Sequence, residues 1–178
     1  YATHSMGTNH GNELSFRTSP VTVPSLTTDA ATGITLDAAV SGGRSINSNG
    51  GDITEKGVCW DTSPNPTTSD FSSSAGSGTG NFSADMEGLN HSTIYYVRAY
   101  AMNSAGIGYG PQMTFSTSAS DIDGNVYRTV IIGDQLWMQS DLRTTHFRGG
   151  DEIPFVTGNS AWSSLTTPAC CWYNNTPQ

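Results

Sequence analysis

Apolar and polar residues alternate along much of the chain between positions 25 and 117. The longest alternation covers residues 94–103, where Tyr95, Val97, Ala99 and Ala101 share one face. A period of two is that of a β-strand with one buried face. Similar patterns predict further strands over residues 25–29, 34–46, 55–61, 81–89 and 112–117.

Each of these strands has a face that we expect to contribute to a core. The apolar positions are Ile34, Leu36, Ala38 and Val40 in the second strand, Val58 and Trp60 in the third, Phe82, Ala84 and Met86 in the fourth, and Met113 and Phe115 in the last. Cys59 stands between Val58 and Trp60, and we interpret it as a small buried strand residue.

Turn-forming residues separate the predicted strands. Clusters of Gly, Asn and Asp predict turns over residues 47–52 and 106–110. Two prolines in residues 61–68 and the Ser/Gly-rich stretch 72–80 predict a mobile sheet edge, because proline lacks a backbone donor. About seven strands with turns every 8–12 residues or so are typical of an immunoglobulin-like β-sandwich, so the predicted fold class is all-β.

The first part of the chain recurs once, 99 positions later. Residues 1–19 and 100–118 align without gaps and are identical at eight of 19 positions. The spacing matches one immunoglobulin-like sandwich and is too long for a solenoid coil or a propeller blade. The identical pairs are Tyr1/Tyr100, Ala2/Ala101, Ser5/Ser104, Gly7/Gly106, Gly11/Gly110, Phe16/Phe115, Thr18/Thr117 and Ser19/Ser118.

The repeat predicts three parts in the chain. Residues 1–19 are expected to be the tail of a preceding sandwich repeat, its F and G strands. Residues 20–118 are expected to form one complete sandwich, and residues 119–178 to begin a different domain. On this interpretation neither end of the sequence is a natural terminus.

Composition restricts the possible partners. Seven basic against fifteen acidic residues give a net charge of −8, which disfavours nucleic acid and anionic membranes. No apolar run reaches the roughly 18 residues of a bilayer span, so the protein is not expected to be transmembrane. The cysteines Cys59, Cys170 and Cys171 cannot all pair within the chain, so at least one thiol is free or bonded outside it.

A resemblance to fibronectin type III domains rests on the segment from Leu89 to Gly106. Its pattern, Leu89-x-x-x-Thr93-x-Tyr95 followed by YVRAYAMN and Gly106, resembles the E-to-F corner and F strand of that family. The resemblance implies that Tyr95 is the tyrosine-corner residue, whose phenol bonds backbone upstream. Together with residues 57–66 (GVCWDTSPNP), the run is similar to tandem modules of large Bacteroidetes-type surface proteins. His91 stands where that family commonly has proline.

The segment after Ser118 is predicted to contain a hairpin, with strands over 126–132 and 135–139 and a Gly133-Asp134 turn. Before it, Asp121, Asp123 and Asn125 stand at alternate positions, as calcium ligands can. In an EF-hand loop counted from Asp121, Val126 occupies the glycine position and Ile132 the closing glutamate position. A plain Asp-Gly turn with solvated carboxylates is therefore favoured over a calcium site, and no bound metal or other cofactor is expected.

Residues 120–178 resemble the opening of the Fibrobacter succinogenes major paralogous domain. The matching segments are residues 121–142, 142–145, 150–154, 159–162 and 171–175. The resemblance implies a secreted or surface-anchored bacterial protein and a compact fold of the C-type-lectin or sulfatase-modifying-factor kind. Such domains are longer than the segment present, so we expect that fold not to close within it.

Aromatic residues are concentrated after Ser118. The candidate ligand or partner surface comprises Trp137, Trp162, Trp172, Tyr173 and Asn174. Burial of these tryptophans and of Phe155 in an aromatic core is favoured, because tryptophan is mostly buried on average. If that core stays open, the same residues form an exposed apolar patch that binds a partner. Stacking on sugar rings is the other possibility.

No pattern in the sequence supports catalysis. The four histidines lack the spacing of metal ligands, and neither a nucleophile elbow nor a phosphate-binding loop occurs. We therefore expect a non-enzymatic, extracellular structural or adhesive module of a bacterial surface protein. Its partners would be neighbouring copies or domains of that protein, which strand exchange could assemble into a fibre. The alternatives are a carbohydrate-binding module, with glycans as partners, and an accessory domain of a secreted hydrolase.

Overall fold

The computed structural model describes residues 1–171, and these are mostly β-structure. Trp172, Tyr173 and Asn174 of the candidate surface lie outside the described residues. In chain order the elements are β1 (Ala2–His4), β2 (Gly7–Asn9), β3 (Ser25–Thr28), β4 (Ala38–Asn47), β5 (Glu55–Asp61), β6 (Phe71–Ser74), β7 (Phe82–Glu87), β8 (Ile94–Asn103), β9 (Gly106–Tyr109), β10 (Met113–Ser116), β11 (Ala119–Ser120), β12 (Val126–Tyr127), β13 (Thr129–Ile132), β14 (Gln135–Met138) and α1 (Asn159–Ser164).

Two antiparallel sheets form a sandwich between residues 25 and 116. The first sheet has the order β3-β4-β7, and the second has the order β10-β8-β5-β6, with β9 paired to the far end of β8. This is the strand order of a fibronectin type III-like sandwich, with A, B and E facing G, F, C and C′. The prediction of an all-β, immunoglobulin-like fold is confirmed.

The core lies between the inner faces of the two sheets. Val58, Trp60, Met86, Val97 and Phe115 belong to its main cluster, and a smaller cluster contains Leu26, Ile53, Ala99 and Ala101. Burial of each large apolar side chain contributes about 1.5–3 kcal/mol. The predicted inward faces of β5, β7, β8 and β10 are therefore confirmed, as is the burial of Cys59.

The corner that leads into β8 is closed by Tyr95. The backbone N–H of Asn90 donates to the Tyr95 hydroxyl oxygen at 3.0 Å, and the Tyr95 ring stacks on Phe115 with centroids 5.7 Å apart. One side chain thus fixes the backbone of the corner and fills the core, as the resemblance implied.

The predicted phase of the strand over residues 34–46 was wrong. The strand begins at Ala38, and Ala39 rather than Val40 lies in the main core cluster. The cause is a local turn: the Thr35 hydroxyl accepts from the Ala38 backbone N–H at 2.9 Å and donates to the Asp37 carboxylate at 3.1 Å. This turn holds residues 35–37 out of the strand, so the alternation restarts with the opposite face inward.

Two predicted loops are partly strand. Residues 106–109 form β9, and the chain reverses instead at Ser104 and Ala105, where the Asn103 side-chain oxygen accepts from the Ala105 N–H at 2.9 Å. Gly108 permits this strand to lie against the chain that enters the sandwich, since a Cβ there would stand 1.8 Å from the Pro24 carbonyl oxygen. Residues 71–74, within the predicted mobile edge, form the edge strand β6 on β5.

Asn103 also attaches the entering chain to the sandwich. Its buried side-chain amide donates to the carbonyl oxygens of Thr22 at 2.8 Å and Ser48 at 2.9 Å. The Asn49 amide donates to the Val23 carbonyl oxygen at 2.6 Å. The segment before β3 is therefore hydrogen-bonded to the last residue of β8 and to the loop after β4.

We expect Tyr95→Phe to lower the free energy of unfolding by about 1–2 kcal/mol, because the Asn90 N–H loses its acceptor. Urea denaturation measures the change. Tyr96→Phe is the matched control, because the Tyr96 hydroxyl has no hydrogen-bond partner within residues 1–171 and its ring lies on the outer face of β8. Equal destabilisation by the two substitutions would refute the role of the corner hydrogen bond.

Candidate functional site at the end of the sandwich

The C-terminal segment is attached to the sandwich where strand β10 ends. Fully buried Thr117 closes that end: its hydroxyl donates to the Asn90 carbonyl oxygen at 2.7 Å and accepts from the Thr93 N–H at 3.0 Å. The Thr129 hydroxyl donates to the Thr117 carbonyl oxygen at 2.9 Å and accepts from the Ser116 hydroxyl at 2.8 Å. Thr129 therefore fixes the first residue of β13 on the sandwich.

The hairpin predicted after Ser118 is present. Strands β13 and β14 pair in antiparallel register from Thr129↔Met138 to Ile132↔Gln135, and the Gln139 N–H donates to the Arg128 carbonyl oxygen at 2.9 Å. Because side chains alternate across a strand, one face carries Arg128, Val130, Ile132, Gln135, Trp137 and Gln139. We call these six residues the Trp137 face.

A cleft of about 510 Å³ opens between the hairpin and the sandwich. The loop between β3 and β4 forms one wall, and the end of β10 forms another. The lining residues are Ala31, Thr32, Gly33, Ile34, Thr35, Ser116, Ser118, Arg128, Thr129 and Gln139. Arg128 is the only charged residue among them, so the cleft is polar with a single positive charge.

Trp137, Phe155 and Trp162 are exposed, contrary to the favoured prediction that they lie in an aromatic core, whereas Tyr127 is buried. Trp137 is 53% exposed and Phe155 49%, while Trp162 is 38% exposed and donates its indole N–H to the Val156 carbonyl oxygen at 2.7 Å. Residues 119–171 form two-stranded sheets and one short helix, so no second layer covers these rings. Trp137 and Trp162 lie on different elements.

Of the three weak calcium candidates, Asp121 and Asp123 accept from protein donors, and Asn125 donates its side-chain amide to Asp121 at 2.9 Å. The Asp121 carboxylate accepts from the Asn125 N–H at 2.9 Å and from the hydroxyl of buried Tyr127 at 2.5 Å. Burial acts to raise the Asp121 pKa, but the hydrogen bonds from Tyr127 and Asn125 outweigh it, so the pKa lies below its ordinary value. The Tyr127 hydroxyl oxygen also accepts from the Arg143 backbone N–H at 2.8 Å. These hydrogen bonds link the turn, β12 and Arg143.

Asp123 makes a separate set of contacts. Its carboxylate accepts from the Thr145 backbone N–H and from the Thr144 hydroxyl at 2.9 Å. It also bonds to His146 Nδ1 at 2.5 Å. The Thr145 N–H is the main cause of an Asp123 pKa well below its ordinary value. Within residues 1–171, no three His, Cys, Asp or Glu side chains cluster as metal ligands would.

The three thiols differ in environment. Cys59 is buried, Cys170 half-buried and Cys171 exposed, and all three are free. Burial raises the pKa of the Cys59 thiol to about 11, so it stays protonated and unreactive at neutral pH. The one helix that residues 1–171 form, α1, has six residues and is too short and polar to cross a bilayer.

The N-terminal repeat folds locally as its counterpart does. Strands β1 and β2 pair as Ala2↔Asn9, Thr3↔Thr8 and His4↔Gly7, and β8 and β9 pair as Ala101↔Gly108, Met102↔Ile107 and Asn103↔Gly106. Every pair is shifted by 99 positions. Leu14 and Phe16, however, are about nine-tenths exposed, at 90% and 91%, whereas the equivalent Phe115 is buried.

Arg128, Ser118 and Gln139 were missed by reasoning from the sequence. None belongs to a recognisable motif, and Ser118 reaches the cleft only through the tertiary fold. The predicted hairpin nevertheless contained a signal: counting outward from the Gly133-Asp134 turn pairs Arg128 with Gln139 and Val130 with Trp137.

Comparison with known proteins yields structural likenesses only. No family model and no curated protein match the chain. The fibronectin type III domain of human collagen XX aligns with 58% of this chain and 100% of its own, at 16% identity and a TM-score of 0.39. The sensor domain of the anti-sigma factor RsgI4 of Pseudobacteroides cellulosolvens aligns with 57% of this chain and 97% of its own, at 19% identity and a TM-score of 0.38.

A titin fragment aligns with 55% of this chain at 16% identity and a TM-score of 0.39, and the match spans 32% of that fragment. The fold assignment rests on the strand order of the sandwich and not on these scores. The resemblance of residues 120–178 to the Fibrobacter succinogenes major paralogous domain stays a prediction.

We expect Thr129→Val to detach the hairpin without unfolding the sandwich, because it removes two hydrogen bonds and preserves side-chain volume. If each bond contributes about 1 kcal/mol, the loss of both raises the open population roughly thirtyfold. Limited trypsin digestion measures this as faster cleavage after Arg143 and Arg148, both distant in sequence from the substitution.

Thr114→Val, on exposed β10 surface, is the matched control and should leave cleavage unchanged. If Thr129→Val also left the rate unchanged, the attachment of the hairpin through Thr129 would be refuted.

Proposed function

We propose that this chain is a non-catalytic structural and adhesive module of a bacterial cell-surface or secreted protein, and that its partners are neighbouring copies or domains of that protein. The sandwich acts as a rigid spacer, since its core and its hydrogen-bonded ends leave little freedom between the attached segments. The surface location is supported by the two sequence resemblances and by the acidic composition.

The observation that carries this proposal is the N-terminal segment. It repeats the register of β8 and β9 while Leu14 and Phe16 face solvent. In the sandwich, the residue equivalent to Phe16 is Phe115, which packs on Tyr95. We infer that residues 1–19 exchange with the equivalent F and G strands of a neighbouring copy, so that Phe16 takes the core position that Phe115 holds in the closed sandwich. Repetition of this contact between copies would be heterologous and would build a fibre.

We expect the purified chain to self-associate as its concentration rises from micromolar to millimolar, and Phe16→Asp to abolish the association. A carboxylate cannot enter the core position of Phe115 without a large desolvation penalty. Sedimentation velocity gives the oligomeric state. Asn12→Asp adds the same charge to the same exposed segment and should associate as the wild type does.

A wild-type chain that stays monomeric at all concentrations, with the narrow amide signals of a mobile segment for residues 1–18, would overturn assembly by strand exchange. The spacer role would survive that result, because it depends on the sandwich alone.

A second candidate function is carbohydrate binding, favoured by the exposure of Trp137 on an ordered hairpin. Its indole ring offers a flat apolar surface on which a sugar ring can stack. We expect glycan-array binding that Trp137→Ala abolishes and that Trp162→Ala, on a different element, retains. Absence of binding to every glycan would refute this function.

A further inference from the structure

Arg128 is an unpaired cation at a defined position in the fold. Within residues 1–171 its guanidinium makes no ion pair, although the chain carries a net charge of −8. The residues that line the cleft with it include no Asp or Glu. A carboxylate from a ligand would therefore meet the guanidinium without competition from a lining side chain.

Two further polar side chains in the cleft lining are free to bond. The Ser118 hydroxyl and the Gln139 side-chain amide line the cleft, and within the described residues neither has a hydrogen-bond partner. Together with Arg128 they offer donors from three side chains, two on the hairpin and one on the sandwich. This set suits a ligand rich in acceptors, above all a carboxylate.

The hairpin register places Trp137, which lies outside the cleft lining, on the same face of the hairpin as Arg128 and Gln139. Trp137 lies on β14 two residues before Gln139, and Val130 lies on β13 two residues after Arg128, where the bond from the Gln139 N–H to the Arg128 carbonyl oxygen extends the pairing. Positions two apart on a strand are about 7 Å apart, which is about the span of one sugar ring with its substituent. A ring stacked on Trp137 can therefore direct a substituent toward Arg128 and Gln139.

We propose that the cleft and the Trp137 face bind an acidic saccharide, in which a uronic acid ring stacks on Trp137 and its carboxylate is bound by Arg128, Gln139 and Ser118. The inference rests on the carbohydrate-binding candidate and specifies its ligand. A neutral sugar presents many hydroxyl donors, and the lining lacks the carboxylates that would accept from them. An acidic peptide would use Arg128 but leave the flat indole surface without a matching ring.

The test is calorimetric titration of the full chain with trigalacturonate, with cellotriose as the neutral probe and with tetraglutamate as the acidic peptide. We expect trigalacturonate to bind at least tenfold more tightly than either of the others, because a charge-assisted contact to a carboxylate contributes a factor of about ten or more. Arg128→Gln should weaken trigalacturonate binding by about tenfold.

Arg148→Gln removes the same charge from an exposed position outside the cleft lining and serves as the matched control. In the wild type, trigalacturonate should shift the amide signals of Ser118 and Gln139 and the indole signal of Trp137, a readout that needs no variant.

Equal binding of cellotriose, lost in Trp137→Ala, would overturn the acidic ligand while carbohydrate binding stands. Equal binding of tetraglutamate would replace the saccharide with an acidic protein segment. If none of the three probes binds, the inference falls.

Discussion

Strand β8 is the element on which the rest of the structure depends. It pairs with β5 along its length and with β10 and β9 at its two ends, so it is the centre of the second sheet. Its inward residues enter both core clusters, because Tyr95 and Val97 belong to one and Ala99 and Ala101 to the other. Its first inward residue, Tyr95, closes the corner that leads into β8. Its last inward residue, Asn103, fixes the segment that precedes β3. The alternation of side chains between the two faces of the strand over ten residues makes all of this possible.

The two attached segments differ from the sandwich in how they bury apolar surface. Inside the sandwich each strand has a second layer to cover it. The N-terminal segment and the hairpin of β13 and β14 are two-stranded, and they expose Phe16 and Trp137. An isolated hairpin is marginally stable in water. The order of the β13–β14 hairpin therefore depends on the two hydrogen bonds of Thr129 to Ser116 and Thr117. We attribute the binding properties of the chain to these exposed faces.

Much of the sandwich could be predicted from the sequence, because a period of two is a local property that burial reinforces. The face of β8 follows from it directly, whereas the corner role of Tyr95 was implied by the resemblance to fibronectin type III domains. The face of β4 did not follow from it, because one hydroxyl, that of Thr35, removes three residues from the strand and shifts the phase. Loop composition likewise concealed β6, where pairing with β5 outweighs weak local preference.

The candidate site was less predictable than the fold. Trp137 was recognised as a candidate ligand residue, but aromatic content alone could not distinguish a core from a surface. Ser118 and Arg128 meet in the cleft because β10 ends beside the first residue of β13, a tertiary contact with no local signature. Turn position was the one usable signal, since it determines the register that aligns Arg128 with Gln139.

Native-state hydrogen exchange tests the central claim most directly, namely that a closed sandwich organised on β8 holds an ordered but separately opening hairpin. The account predicts three levels of protection: amides of β5 and β8 exchange only through global unfolding, those of β13 and β14 through local opening at lower free energy, and those of β1 and β2 with little protection. Equal protection of β8 and β13, or none in β13, would contradict it.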